Sequence, residues 1–216
     1  MKKLLNKIEI KPLVTTIILI LIQTFMFFVS KLFEGQPHII GNFIDEAIPF
    51  NVWFIIPYFI WYFLIFAVPY YIYKKDKNRF CKYIINYFFI TLIANIIFLL
   101  YPSIVIRPEF ETTGILTFLT NFIYWIDNPA INCFPSLHCA MSMLFILMIC
   151  PMKSYNTKFR LFIFFMSILI MFSTLFTKQH VFIDLVSGDI LAFIVFLIFK
   201  NEKKLVKKLK ELLKLY

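Results

Sequence analysis

Two short motifs place ionisable side chains at the starts of two very apolar segments. Pro135-Ser136-Leu137-His138 begins one of them, and His180 begins another, with Asp184 four residues after it. The chain has three histidines, and these motifs hold two of them. Ionisable side chains at membrane depth are costly, so they mark functional sites by default. The two motifs therefore indicate chemistry at a membrane surface.

His180 and Asp184 are spaced for direct contact. Residues four apart on a helix lie on one face, with their Cβ atoms about 5–6 Å apart. An aspartate there accepts the Nδ1–H of the histidine, which fixes the tautomer and leaves Nε2 free to act as nucleophile or general base. A helix-start hydrogen bond without chemistry is the alternative, and the cost of a carboxylate inside a membrane segment disfavours it.

Ser136 and His138 lie where a polar loop gives way to a helix. Serine is a good N-cap, so a capped helix without chemistry is the simpler interpretation. The free N–H groups of a helix N-terminus also bind anions, phosphate in particular. His138 in the first turn would lie beside that anion, and an imidazole that titrates near neutral pH can give a proton to a leaving oxygen.

Two cations lie near these motifs. Arg107, followed by Pro108, comes just after the third apolar segment, and arginine binds phosphate oxygens bidentately. Taken alone, Arg107 is better explained as an interfacial anchor. Lys178 lies two residues before His180, where it would either face a phosphate or snorkel to the membrane surface.

The composition is that of an integral membrane protein. Of 216 residues, 61% are hydrophobic and 16% are charged, whereas about a quarter are charged in a soluble domain. The apolar runs are continuous rather than alternating, which favours an all-α bundle over a barrel. We expect one membrane domain over 1–216, with its chemistry within about 100–190.

Six segments can be drawn as membrane spans, each close to the ~20 residues that a bilayer requires. They are approximately 13–33, 52–73, 80–100, 136–152, 160–177 and 181–199. Lysine and arginine concentrate at the N-terminus, in alternate loops and in the tail, and basic loops lie on the cytoplasmic side. Both termini are therefore predicted to be cytoplasmic, and both motifs and Arg107 to lie on the extracytoplasmic face.

The net charge of +10 is explained by this topology and by contact with anionic lipid. The chain has no basic-aromatic nucleic-acid motif, so we expect no nucleic-acid partner. The tail, 200–216, has leucines on one helical face among lysines, typical of an interfacial helix on anionic lipid. A solvated tail that only fixes topology is equally consistent. Little glycine and much lysine, isoleucine, asparagine and phenylalanine favour a bacterial plasma membrane.

The motifs together resemble those of the type-2 phosphatidic acid phosphatase superfamily. That family has three blocks, Lys-x6-Arg-Pro, Pro-Ser-Gly-His and Ser-Arg-x5-His-x3-Asp. The matching residues here are Arg107-Pro108, then Pro135, Ser136 and His138, then Ser173, His180 and Asp184. The blocks come in the right order and spacing over about 100–190, which makes the combination specific where each block alone is weak.

The chain departs from the family at three positions. Leu137 replaces the glycine of the second block, while Leu100 and Thr174 stand where the family has a lysine and an arginine. Two phosphate-binding cations are therefore missing, and Lys178 is a candidate to replace one. The sequence around both histidines is more similar to one branch of the family, which contains fungal inositol phosphorylceramide synthase and sphingomyelin synthase. Enzymes of that branch move phospho-headgroups between lipids.

The resemblance implies a lipid phosphate phosphatase that forms a phospho-histidine without a metal or other cofactor. In the implied mechanism Asp184 orients His180 for attack on phosphorus, and His138 protonates the leaving oxygen and then deprotonates water. The residues implied to bind the phosphate are Arg107, Ser136 and Lys178. A phosphoinositol or phosphocholine transferase and an inactive lipid-binding relative are the alternatives. Nothing in the sequence indicates an oligomeric state.

Overall fold

The computed structural model describes residues 10–32 and 35–215, which are predominantly helical. The helices are α1 (Ile10–Leu32), α2 (Phe43–Ala47), α3 (Ile55–Lys75), α4 (Lys77–Leu100), α5 (Ile115–Ile126), α6 (Leu137–Ile149), α7 (Thr157–Phe176), α8 (Phe182–Phe199) and α9 (Lys203–Leu212). A 3₁₀ turn, Val52–Phe54, leads into α3. Lys2, Lys3 and Lys7, which entered the topology prediction, lie outside the described residues.

Five helices within the described residues are long and apolar enough to cross a membrane. They are α1, α3 with its leading 3₁₀ turn, α4, α7 and α8. The prediction of an all-α fold with several helices of membrane length is therefore confirmed. The fourth predicted span, 136–152, corresponds to α6, which has 13 residues and a length of about 20 Å. A bilayer core of about 30 Å requires more, so the count of six spans stays a prediction.

Polar residues begin several of the helices. Asp76 ends α3 and also caps α4, where its side chain accepts the N–H of Arg79 at 3.0 Å. Asn156 caps α7 in the same way. Because one residue separates α3 from α4, the chain reverses abruptly there.

The helix α6 forms the centre of the bundle and packs against α4, α7 and α8. Its Ala140, Leu144 and Phe145 are fully buried. In lipid such packing is driven by close van der Waals contact rather than by removal of apolar surface from water. By contrast, α1 presents Leu21 and Phe25 outward, with 62% and 70% of their surface exposed, as lipid-facing side chains would be.

Three loops meet at one end of the bundle, the segments 35–51, 101–136 and 177–181. Two short strands in the first two loops, β1 (His38–Ile39) and β2 (Ser103–Ile104), pair in parallel. Further hydrogen bonds link the loops. The N–H of Ile40 donates to Ile104 O, and the side chain of Lys178 donates to Asp45 O. The predicted motif residues are thus gathered at one end by direct contacts.

The opposite end holds both termini of the described chain. Lys11 at the start of α1 donates to the carbonyl of Lys214. The tail forms the helix α9, whose Val206 is buried and packs, with Leu209, against the core of the bundle. The amphipathic helix of the tail prediction is therefore present, with part of its apolar face on the protein.

Candidate active site

His180 and Asp184 are in contact, by a local geometry other than the expected one. The Nδ1 atom of His180 lies 3.2 Å from Asp184 Oδ2, and the side chains are 11% and 0% exposed. His180 lies in the turn before α8, and Asp184 reaches back to it from the first turn of the helix. The same oxygen accepts the N–H of Val181 at 3.1 Å. The carboxylate therefore caps α8 and orients the imidazole at the same time.

The turn that carries His180 is held by the end of α7. The carbonyl of Thr174 accepts the N–H groups of Gln179 and His180, at 2.9 and 3.1 Å. Between them and α7, Lys178 takes a left-handed conformation with φ of 53°, which costs a non-glycine residue about 1 kcal/mol. The turn is thus fixed tightly enough to set where the imidazole lies.

His138 lies in the first turn of α6 and faces His180. The centroids of the two imidazole rings are 5.8 Å apart. Tyr58 and Trp61 of α3 enclose His138, with ring centroids at 4.8 and 4.3 Å. Its Nε2 is buried and has no hydrogen-bond partner in the described part of the chain. A buried polar atom without a partner is uncommon, and a ligand oxygen could pair with it.

The aromatic enclosure of His138 was not predicted from the sequence. Tyr58 and Trp61 lie in an apolar segment, where such residues usually belong to the core. Nothing in their spacing relates them to a histidine about eighty residues later in the chain.

Ser136 connects the starts of α6 and α8. Its Oγ accepts the N–H of Cys139 at 3.3 Å, and its own N–H donates to the carbonyl of Asp184 at 3.1 Å. Gly188 lies directly against this junction, because a Cβ placed there would be 2.4 Å from the carbonyl oxygen of Ser136. Gly188 was also missed from the sequence, although it follows His180 and Asp184 at the same four-residue interval.

Arg107 is held beside the histidine turn. One terminal nitrogen donates to Asp127 Oδ2 at 2.6 Å and to the side-chain oxygen of Gln179, the neighbour of His180. The guanidinium also lies 4.8 Å from the ring centroid of Tyr124. The side chain is 10% exposed, so this cation is preorganised at the site.

Lys178 lies close to the site, but its ammonium group is engaged elsewhere. It donates to the backbone carbonyls of Asp45 and Ile48, at the end of α2. It therefore fastens the α2 segment over the outer side of the site. The structure brings His138, His180 and Ser136 together, with Arg107 adjacent.

Two cavities meet at His180. The inner cavity, of about 300 Å³, lies among α1, α3, α4 and α6 and is lined mostly by aromatic and aliphatic side chains, with His138 at its end. The outer cavity, of about 510 Å³, is lined by the loops and includes Arg107 and Lys178. Lys31 and Asp127 line the inner cavity, and sequence reasoning had not assigned either to the site.

Two further observations concern a possible cysteine nucleophile and a possible metal site. Burial raises the pKa of the Cys133 thiol above its usual range, so this residue of the inner cavity is protonated at neutral pH and is not a nucleophile. Among residues 10–32 and 35–215, no group of three or more histidine, cysteine, aspartate or glutamate side chains lies together as a set of metal ligands.

The sequence was compared with models of known protein families, with curated proteins and with solved structures. A family model described as PAP2 superfamily matches residues 23–198, well over half of the chain and including both histidine motifs. Comparison with curated proteins and with solved structures finds no match. The resemblance to the type-2 phosphatidic acid phosphatases is confirmed at the level of the superfamily, and the finer likeness to headgroup transferases stays a prediction. With the histidine pair at its site and the match along most of its length, this chain belongs to the PAP2 superfamily.

Proposed function

We propose that the protein is a membrane lipid phosphate phosphatase in which His180 is the nucleophile. Membership of the superfamily implies phosphatase or phosphotransferase chemistry in general. The observation that carries the proposal is the pair of facing imidazoles, 5.8 Å apart, one of which has its Nδ1 against a fully buried carboxylate. This arrangement suits a nucleophile and a proton donor on opposite sides of one phosphorus atom.

In the first step, Asp184 accepts the Nδ1–H of His180, which leaves the lone pair on Nε2 for attack. Nε2 makes no hydrogen bond to the described residues. The Nε2–P bond forms as the bond from phosphorus to the lipid oxygen breaks, and the buried carboxylate stabilises the charge that develops on the imidazole. His138 gives its proton to the leaving oxygen.

In the second step, a water molecule attacks the phosphorus of the phospho-histidine. His138, now neutral, takes a proton from that water, and the N–P bond breaks to release inorganic phosphate and restore His180. The neighbouring phosphate anion favours the protonated form of His138 that the next cycle needs, and it must offset the burial of this imidazole, which disfavours the charged form.

Binding of the phosphate is assigned to Arg107 and to the start of α6. The start of α6 is included because a helix N-terminus favours an anion. The Oγ of Ser136 accepts the Cys139 N–H, which leaves its O–H to donate to a phosphate oxygen. Lys178 supports the site by fixing the α2 segment, so its predicted contact with phosphate is the least supported of the three.

The inner cavity is the proposed site for the hydrocarbon next to the reacting phosphate. Its walls are largely aromatic and aliphatic, as in most sites for apolar ligands. We place the site on the extracytoplasmic face of a plasma membrane, because the basic tail and the start of α1 lie together at the opposite end. With α6 counted as a span, the domain would have six spans and cytoplasmic termini.

The test is phosphate release from a panel of lipid phosphates in detergent, with wild type compared with His180→Ala. The panel contains phosphatidate, phosphatidylglycerol phosphate and a polyprenyl pyrophosphate. The expected result is turnover by the wild type and loss of turnover in the variant, with labelled phosphate trapped on the wild type alone. His38→Ala is the matched control, because His38 is exposed on β1 and stacks on Tyr101.

Two results would count against the proposal. Undiminished activity in His180→Ala would remove the nucleophile assignment. Formation of a new phospholipid on addition of a lipid alcohol, without free phosphate, would identify headgroup transfer in place of hydrolysis.

A further inference from the structure

Lys31 reaches the active site from outside the sequence motifs. It lies in the last turn of α1 and lines the inner cavity together with His138 and His180. Its Nζ is 3.7 Å from Asp127 Oδ1, and its side chain is 16% exposed. It is therefore a largely enclosed cation in a cavity that both histidines also line.

The two positions that hold cations in the superfamily motif cannot serve here. Leu100 is 80% exposed at the end of α4. Thr174 is fully buried, and its hydroxyl donates to the carbonyl of Met171 at 2.7 Å. Lys178 lines the outer cavity, which does not include His138, and its ammonium is bound there to two backbone carbonyls. A phosphate dianion at the site would therefore need a further cation besides Arg107.

One anionic group already bridges Lys31 and Arg107. The two oxygens of the Asp127 carboxylate face the two cations, Oδ1 toward Lys31 at 3.7 Å and Oδ2 toward Arg107 at 2.6 Å. The cations are thus close enough for two oxygens of a single anion to contact both. Two oxygens of one phosphate group would meet the same spacing.

The position of Lys31 is fixed by further contacts. Its Nζ donates to the carbonyl of Pro129 at 3.2 Å and lies 4.9 Å from the ring centroid of Phe27. The preceding residue, Ser30, accepts a hydrogen bond from the side chain of Asn132. These contacts fasten α1 to the loop before α6, so the ammonium does not simply extend to the membrane surface.

We propose that Lys31 is a phosphate-binding residue of this site and supplies one of the cations that the motif lacks. This inference rests on the proposed phosphatase function for its catalytic consequences. Asp127 keeps Arg107 and Lys31 close together before the phosphate arrives, and a phosphate oxygen then contacts both. The role differs from that of a helix anchor, because it depends on the charge of the ligand.

The experiment compares Lys31→Met and Lys31→Arg with the wild type, using dodecyl phosphate as substrate in detergent. The expected result is an increase in KM of about tenfold or more for Lys31→Met, the worth of one charge-assisted hydrogen bond. Lys31→Arg should restore KM to within a few-fold of the wild type. Lys11→Met is the matched control, because this lysine lies at the other end of α1 and bonds to Lys214.

Binding of inorganic phosphate, followed as an increase in the thermal midpoint, tests the same residue without turnover. Phosphate should stabilise the wild type and the Lys11→Met variant, and Lys31→Met much less. Equal stabilisation of all three, or a lower midpoint of Lys31→Met with unchanged KM, would overturn the proposal. A wild type that binds phosphate through Lys31 but hydrolyses no lipid phosphate would overturn the proposed function alone.

Discussion

Asp184 is the residue whose surroundings constrain the reaction most. Its Oδ2 serves both His180 and the N–H of Val181, and its Oδ1 is buried without a partner among the residues described. A buried carboxylate is costly unless it accepts hydrogen bonds, so the contact with the Nδ1–H of His180 is strongly favoured. In the proposed reaction it would also stabilise the positive charge that develops on the imidazole during attack.

Asp184→Asn should lower kcat by about 10²–10⁴-fold. The amide can present a donor to Nδ1, which favours the tautomer with its proton on Nε2, the nitrogen needed for attack. The measurement is the steady-state rate of phosphate release. Asp76→Asn makes the same chemical change at the cap of α4, at the other end of the bundle, and should leave the rate unaltered, since asparagine caps helices well. A rate for Asp184→Asn within a few-fold of the wild type would contradict the orienting role.

Contacts between residues close in sequence were predictable, and contacts between residues distant in sequence were not. The contact between His180 and Asp184 followed from their spacing, although the helix cap rather than the helix face produces it. Lys31 and Asp127 come together from positions almost a hundred residues apart. No local pattern marks such a pair, because only the packing of α1 against the loop before α6 joins them.

At the scale of elements, the site is built from the starts of α6 and α8. Each helix begins beside the other, joined by the hydrogen bond from Ser136 to the carbonyl of Asp184. The positive ends of both helix dipoles are therefore close to the proposed phosphate. Gly188 permits this close approach, since any Cβ there would collide with backbone.

Gly188→Ala should separate the two helix starts and so misplace the two imidazoles. The backbone oxygen that the new Cβ would meet cannot move independently, so we expect a loss of stability of about 1–3 kcal/mol and a fall in activity of more than tenfold. Thermal unfolding in detergent and phosphate release measure the two effects. Gly114→Ala is the control, because a Cβ there meets nothing within 4 Å. Wild-type activity in Gly188→Ala would show that the helix spacing is not critical.

The long apolar helices were largely predictable, while the short one in the outer loop was not. The segments drawn at 52–73 and 80–100 overlap α3 and α4 closely, since each is a continuous apolar run of membrane length. The helix α5 has 12 residues, too few to be noticed as a span. It matters to the site because it carries Tyr124 and is followed by its C-cap, Asp127, and both residues contact Arg107.

At the scale of the molecule, the bundle encloses a cavity that begins at the histidines and continues among the helices. Thr24 of α1 lines it, and Thr24→Trp would fill part of it. We expect KM for a long-chain phosphatidate to increase about tenfold, the equivalent of ~1.4 kcal/mol, with a smaller effect on a short-chain analogue. Ile18→Trp on the exposed side of α1 is the control. An equal effect on both substrates, or none, would contradict the role of the cavity in binding the chain.

The whole-molecule arrangement was predicted in outline from charge and hydropathy. Alternating basic and acidic loops predicted that the motifs converge on one end and that the termini share the other. The contacts among the loops and between Lys11 and Lys214 give that arrangement for the described residues. The membrane face on which each end lies stays a prediction. The sequence could not predict the outer cavity, because its walls include the loop segment with α2, which folds back over the helix ends.

Because the two cavities meet at His180, the lipid and the inorganic phosphate can use different routes to and from the site. Under the proposed reaction, a lipid enters sideways from the bilayer, but inorganic phosphate is soluble only in water. The dephosphorylated lipid would then return by the way it came, while phosphate departs past Arg107 toward the aqueous phase. Lys178, by holding the α2 segment in place, would set the width of that exit.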